Sequence, residues 1–113
     1  MSPIPNITVK QLAERLQGKP TDLQLLDVRE PEEVAIAFIS GFTNLPLSQH
    51  HQWSSHIRSQ FDPHAETLVL CHHGIRSAHM CQWLMTQGFT NVKNISGGID
   101  AFSQIVDPAI PRY

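Results

Sequence analysis

Cysteine is scarce in this sequence: Cys71 and Cys81 are the two present among 113 residues, too few for the dense disulfide framework of a small secreted protein. A cluster of Lys and Arg is missing as well. Eight basic against ten acidic side chains leave a formal charge of -2, with no excess to neutralise a phosphate backbone, so nucleic acid is not an expected partner. No segment approaches the ~18 uninterrupted apolar residues of a membrane span, and no charged stretch leads into an apolar one at the start. The expectation is a soluble protein of a reducing cytoplasm, without a membrane partner. Repeats, low-complexity tracts and linkers are also lacking. What is present is a globular composition, 41% hydrophobic and 16% charged, with room for one domain spanning residues 1–113. Seven histidines are many for this length, which leaves room for pH-dependent charge or adventitious metal capture.

Helical and strand patterns alternate along the chain. Residues Met1 to Ile7, with Pro3 and Pro5, read as an extended lead-in. Thr8 and Gln11 have capping-box spacing, and Val9, Leu12, Ala13 and Leu16 share one face before Gly18. Lys19 and Pro20 suggest a turn. Leu23 to Val28 is a mostly apolar run suited to a strand buried on both faces. Pro31 sits at a plausible first helical position, and a short helix follows to about Ala37. Phe38 to Leu47 carries turn chemistry with a short extended passage. Trp53, Ile57 and Phe61 recur at helical spacing, so Ser48 to Gln60 is expected to be a helix ended by Pro63. Thr67 to Cys71 reads as a core strand, Arg76 to Gln87 as the clearest helix, Phe89 to Ile95 as a last strand, and Ile99 to about Val106 as a final helix. This alternation predicts an α/β domain with a largely parallel sheet and helices on both faces.

The chemistry concentrates in Cys71-His72-His73-Gly74-Ile75-Arg76-Ser77. A strand delivers Cys71 at its carboxyl end, the side of an open α/β sheet where ligands bind, and a helix begins a few residues later. Backbone N–H groups of such a connection, with those of the helix start, can converge into an anion cradle. A thiol of pKa ~8.5 in isolation is drawn toward thiolate by a helix N-terminus and a nearby guanidinium. Gly74 suits a tight bend, and Arg76 offers a planar fork for the oxygens of an oxyanion.

That loop resembles the active-site loop of the rhodanese (thiosulfate sulfurtransferase) family: cysteine, two variable residues, glycine, one variable residue, arginine and often serine. Leu26-Asp27-Val28-Arg29-Glu30-Pro31-Glu32-Glu33 resembles the family's early acidic-arginine segment. Asn44-Leu45-Pro46-Leu47 resembles its Asn-Ile-Pro-Leu element, and Asn94-Ile95-Ser96-Gly97-Gly98-Ile99-Asp100-Ala101-Phe102 its Gly-Gly motif. The four stretches follow the family's order across residues 26 to 102. The resemblance implies a rhodanese-like three-layer domain with a central parallel sheet of four or five strands flanked by helices. It also implies an enzyme in which Cys71 takes sulfane sulfur from thiosulfate or a persulfide donor and passes it to cyanide, a small-molecule thiol or a protein thiol. Residues His72 through Ser77 would bind the donor, and no cofactor or metal is implied. A non-enzymatic persulfide carrier or partner-binding module would use the same cysteine. Four residues, His72, His73, Gly74 and Ile75, separate Cys71 from Arg76, whereas the related phosphatases place five, so phosphatase or arsenate-reductase chemistry ranks below sulfur transfer.

The sequence departs from the family where Ala37-Phe38-Ile39 replaces the usual Gly-His-Ile, a change that touches local packing or partner choice more than the nucleophile. Several residues have plainer readings. Cys81 lies on an apolar helical face and reads as structural, with a resolving role as the alternative. His72 and His73 shape donor access more readily than they ligate metal, since adjacent side chains do not easily meet on one ion. Asp27 and Arg29 read as a buried ion pair supporting the neighbouring loops. Gly97-Gly98 lacks the length and Lys-Ser/Thr ending of a phosphate loop and reads as a turn. Trp53 and Trp83 suit partial core packing.

Overall fold

Five short strands, all paired in parallel, frame the computed structural model, which describes residues 3–18 and 21–113. In chain order the elements are β1 (Asn6–Ile7), α1 (Val9–Gln17), β2 (Gln24–Asp27), α2 (Pro31–Ile36), β3 (Thr43–Asn44), α3 (His50–Trp53), α4 (Ile57–Gln60), β4 (Thr67–Leu70), α5 (Ile75–Thr86), β5 (Val92–Ile95) and α6 (Gly98–Ile105). The sheet order is β1-β5-β4-β2-β3. From β2 the chain steps outward to β3, and from β4 it steps the other way to β5. The order therefore reverses between β2 and β4, and the crevice beyond their carboxyl ends is where an open α/β sheet receives a ligand.

Side chains alternate across the pleat. Leu68 and Leu70 of β4 join Ile7, Val9, Leu12, Ile95, Ile99 and Phe102 in one core, beneath α1 and α6. Val69 and Cys71 join Leu26, Val28, Trp53, Ile57, Met80, Cys81 and Leu84 in the other, beneath α3 to α5. This is the expected three-layer arrangement, with five strands. Local signals placed the elements well. Thr8 accepts from the Gln11 N–H, and the Gln11 side chain accepts in return from the Thr8 N–H. Pro31 opens α2, as its fixed φ and missing N–H favour.

Two expectations are corrected. Ser48 to Gln60 is not one helix: 3₁₀ turns at Leu47–Gln49 and Ser54–His56 leave only the single turns α3 and α4. Serine and histidine are weak helix formers, and the Ser59 hydroxyl donates to the His56 carbonyl at 2.9 Å, a local bond that competes with helix continuation. Burial of Trp53 and Ile57 still holds the segment against the sheet, and the Trp53 indole N–H donates to the Pro46 carbonyl at 2.8 Å. Trp83 packs edge-on against Trp53 with centroids 5.7 Å apart. The lead-in is also more than extended chain, because Asn6 and Ile7 pair with Asn94 and Ile95 to form an edge strand. The turn expected at Lys19 and Pro20 lies outside the described residues. Among the described residues no helix is long and apolar enough to cross a membrane.

At the carboxylate of Glu66, just before β4, Arg15 of α1 and Lys93 of β5 converge. The hydrogen bond from Arg15, opposed by burial and reinforced by Lys93, lowers the Glu66 pKa from 4.5 to about 2. A carboxyl group depressed in the folded state contributes stability above its unfolded pKa, and that contribution is lost as pH falls through the folded value. Urea-unfolding midpoints should therefore fall as pH drops from about 4.5 toward 2. The drop should be shallower in Glu66→Gln, which should also be less stable than the parent at neutral pH.

Candidate active site

Cys71 emerges from the end of β4 with 1% of its surface exposed. Its own carbonyl and that of His72 are fixed from behind: they accept from the Ile99 and Asp100 N–H groups at 3.0 and 3.1 Å, so the first turn of α6 holds the loop. Gly98 makes this approach possible. A Cβ there would lie 2.4 Å from the His72 oxygen and 2.5 Å from the Cys71 oxygen, and φ is +61°. The Gly97-Gly98 turn thus brings α6 against the site loop itself, a contact that spacing alone did not reveal.

The front of the loop closes on the sulfur. Gly74, in left-handed conformation as the N-cap of α5, donates its N–H to Cys71 Sγ at 3.1 Å. The Ser77 hydroxyl lies 3.2 Å from the same sulfur and donates to Asn94 Oδ1. Asn94 in turn donates through Nδ2 to the Gly74 carbonyl at 3.1 Å and to Asn6 Oδ1 at 3.2 Å. This buried amide fastens β5, the loop, α5 and β1 around the thiol. Half of β5 is polar, Lys93 and Asn94 between Val92 and Ile95, and of the two Asn94 is the buried one.

Arg76 stands at the rim, where its guanidinium grips Glu33 of α2 bidentately at 2.7 and 2.9 Å. Glu33 Oε1 also accepts from the Tyr113 hydroxyl at 3.0 Å, and Oε2 from the Glu30 N–H at 2.9 Å. The bond from Arg76, opposed by burial and aided by Glu30 and Tyr113, lowers the Glu33 pKa to about 2. The same pair raises the pKa of Arg76 further above its ordinary value. Sequence reasoning singled out neither Glu33 nor Tyr113.

Beneath them Arg29 is wholly buried, and its five N–H groups are all engaged. Nε and Nη2 donate to the Asp27 carboxylate at 2.8 to 3.2 Å, and Nη2 also to the Ala37 carbonyl at 2.8 Å. Nη1 donates to the Tyr113 hydroxyl at 2.9 Å and to the Glu33 carbonyl at 3.4 Å. Asp27 and Arg29 are thus a structural pair rather than groups open to a substrate.

The histidines do not converge on a common point. His72 stacks between His73 and Tyr113, each ring centroid 3.9 Å away, with its Nε2 buried and without a hydrogen-bond partner. Burial, and then the neighbouring His73, hold its pKa below the ordinary histidine value, favouring the neutral ring. His73 is largely exposed, with Nδ1 3.9 Å from an Asp100 oxygen. Ile75 is also exposed. Cys81 is buried on α5 and, like Cys71, forms no disulfide. Burial, with a contribution from the Cys71 charge, pushes its thiol pKa up to about 12, which suits a small core residue. The structure therefore gathers Cys71, Gly74 and Ser77 around one sulfur, sets Arg76 at the rim, and leaves His73 and Ile75 facing solvent.

Comparison with known proteins accords with this geometry. The rhodanese-like domain family model matches residues 8–105, and the chain belongs to that family. It is 44% identical over 113 residues to the rhodanese-like/PpiC domain-containing protein 12, chloroplastic, of Arabidopsis thaliana, an alignment covering 98% of this chain but 38% of that protein. It is 37% identical over 101 residues to the thiosulfate sulfurtransferase GlpE of Pseudomonas entomophila, covering 88% and 85% of the two chains. A rhodanese-related protein of Thermoplasma volcanium superposes with a TM-score of 0.75 at 26% identity, over 96% of this chain and 99% of that one. A single buried cysteine thus occupies the position after β4 where rhodaneses carry their active-site loop.

Two substitutions test the framework. Asp27→Ala strands the Arg29 charge and should cost about 3 to 5 kcal/mol in denaturant unfolding, the usual penalty for breaking a buried pair. Gly98→Ala should destabilise by more than about 1 kcal/mol and increase the alkylation rate of Cys71, because the added carbon forces α6 away from the loop.

Proposed function

We propose that the protein is a sulfurtransferase that moves sulfane sulfur through a persulfide on Cys71. The observation that carries the reading is the directed environment of Cys71 Sγ, with the Gly74 N–H at 3.1 Å and the Ser77 hydroxyl at 3.2 Å, at the floor of a loop leading into α5. The Gly74 N–H, aimed at the sulfur before reaction, can stabilise negative charge there without reorganising, while the Ser77 hydroxyl, whose proton goes to Asn94, offers the thiol an acceptor.

The chemistry has two covalent steps. The Cys71 thiolate attacks the outer sulfur of the donor, the donor's S–S bond breaks, and sulfite or a thiolate leaves with the bonding electrons. A thiolate or cyanide acceptor then attacks the terminal sulfur of the persulfide, and Cys71 leaves as thiolate. No net oxidant or reductant is needed. The family assignment and the naming of the Pseudomonas entomophila relative as a thiosulfate sulfurtransferase support the reading. So does the four-residue spacing from Cys71 to Arg76, which favours sulfur transfer over phosphomonoester hydrolysis. The chain spans 38% of the Arabidopsis relative and about a fifth of the maize adenylyltransferase and sulfurtransferase proteins it matches. A carrier role within a larger assembly would draw on the same persulfide.

Intact mass spectrometry after exposure to thiosulfate or cysteine hydropersulfide should show a gain of one sulfur, reversed by dithiothreitol. Cys71→Ser should abolish it, and Cys81→Ser should retain it. Folded, reduced protein that takes no sulfur from either donor would refute the proposal. An aryl phosphate should be hydrolysed negligibly in parallel; robust phosphate release that requires Cys71, without persulfide formation, would replace the reading with a phosphatase.

A further inference from the structure

An arginine at the mouth of a sulfur-transfer site is useful to an oxyanion donor only if its fork is free. Here it is filled. Both Arg76 terminal nitrogens donate to Glu33, at 2.7 and 2.9 Å, which is the geometry a donor carrying two oxyanion oxygens would need for itself. The carboxylate is not a loosely held competitor. Each of its oxygens has a second donor, the Tyr113 hydroxyl at 3.0 Å on one and the Glu30 N–H at 2.9 Å on the other. Tyr113 is itself anchored by the buried Arg29 at 2.9 Å and by stacking on His72 of the site loop.

We infer that Glu33 determines donor specificity: by filling the Arg76 fork it turns the site away from thiosulfate-like oxyanion donors and toward hydropersulfides, with Tyr113 as the positioning residue that holds it there. Resting on the sulfur-relay reading above, this names the donor class of the same cysteine. Charge balance around the loop supports it. Arg76 is cancelled by Glu33, Arg29 by Asp27, and Arg112 by Asp100, while His72 is favoured neutral. Thiosulfate brings two negative charges and three oxygens, and would have to displace Glu33 or face it. A hydropersulfide needs no guanidinium. Cys71 thiolate attacks its terminal sulfur, the S–S bond breaks, the donor departs as thiolate, and the proton stays on the transferred sulfur. The Gly74 N–H and Ser77 hydroxyl remain beside Cys71 Sγ for that transfer.

Single-turnover loading of Cys71, followed by mass spectrometry, tests this with two probes, thiosulfate and cysteine hydropersulfide. Glu33→Gln keeps an acceptor oxygen for the Glu30 N–H but removes the charge that holds Arg76. It should raise the second-order loading rate with thiosulfate at least about tenfold, the equivalent of one charge-assisted hydrogen bond, while the hydropersulfide rate changes less than about twofold. Tyr113→Phe keeps the ring over His72 and loses the hydroxyl. It should shift the donor ratio in the same direction by a smaller factor, in the apparent affinity for thiosulfate rather than the limiting rate. Thermal unfolding of each variant establishes that α2 is intact. Unchanged thiosulfate loading in folded Glu33→Gln, or parallel changes with both donors, would overturn the assignment of Glu33 while leaving sulfur relay standing. Failure of both donors to load the parent Cys71 would instead remove the sulfur-relay reading, and this assignment with it.

Discussion

The guanidinium of Arg29 has no access to water, and a charge in that position is tolerable only if every donor finds a partner. Its five N–H groups therefore dictate what surrounds them. Asp27 must sit at the end of β2, the Glu33 carbonyl within α2 and the Ala37 carbonyl at its C-cap must face inward, and the Tyr113 hydroxyl must reach back across the molecule. Asn44 completes the arrangement by donating to the Asp27 and Arg29 carbonyls, each at 2.9 Å. One buried cation thus fixes the β2 end of the crevice.

The opposite wall is fixed by backbone rather than charge. The N–H groups at the start of α6 hold the Cys71 and His72 carbonyls, and Gly98 is the residue that lets two backbones meet so closely. Asn94 then locks Gly74 and Ser77 in front of the sulfur. Both walls converge at the point where strand order reverses, so Cys71 is held by hydrogen bonds from α6 behind and from Gly74 in front. Arg76 and Glu33 join the two walls across the rim.

Much of this was legible in the sequence. Capping at Thr8, the helical start at Pro31, the apolar runs of β2 and β4 and the loop from Cys71 to Ser77 are local signals, and local physics places them. What was missed is long-range or too short to leave a pattern. The Arg76–Glu33 pair spans 43 positions and the Tyr113–Glu33 bond 80, and no periodicity encodes either. A two-residue edge strand such as β1 has no alternation to read. Between Ser48 and Gln60 the apolar spacing of a helix was real, but serine and histidine propensities and the Trp53 bond to Pro46 broke it into single turns.

Passage of sulfur through Cys71, from donor to acceptor, is the step on which the proposed chemistry stands. Loading the protein with a hydropersulfide whose outer sulfur is isotopically labelled, removing excess donor, and adding a thiol acceptor measures this directly. The label should first be found on the peptide containing Cys71, one atom per chain, and then be recovered on the acceptor as it leaves the protein. Label reaching the acceptor at the same rate with Cys71→Ser, or remaining on Cys81 in the parent protein, would contradict passage through Cys71.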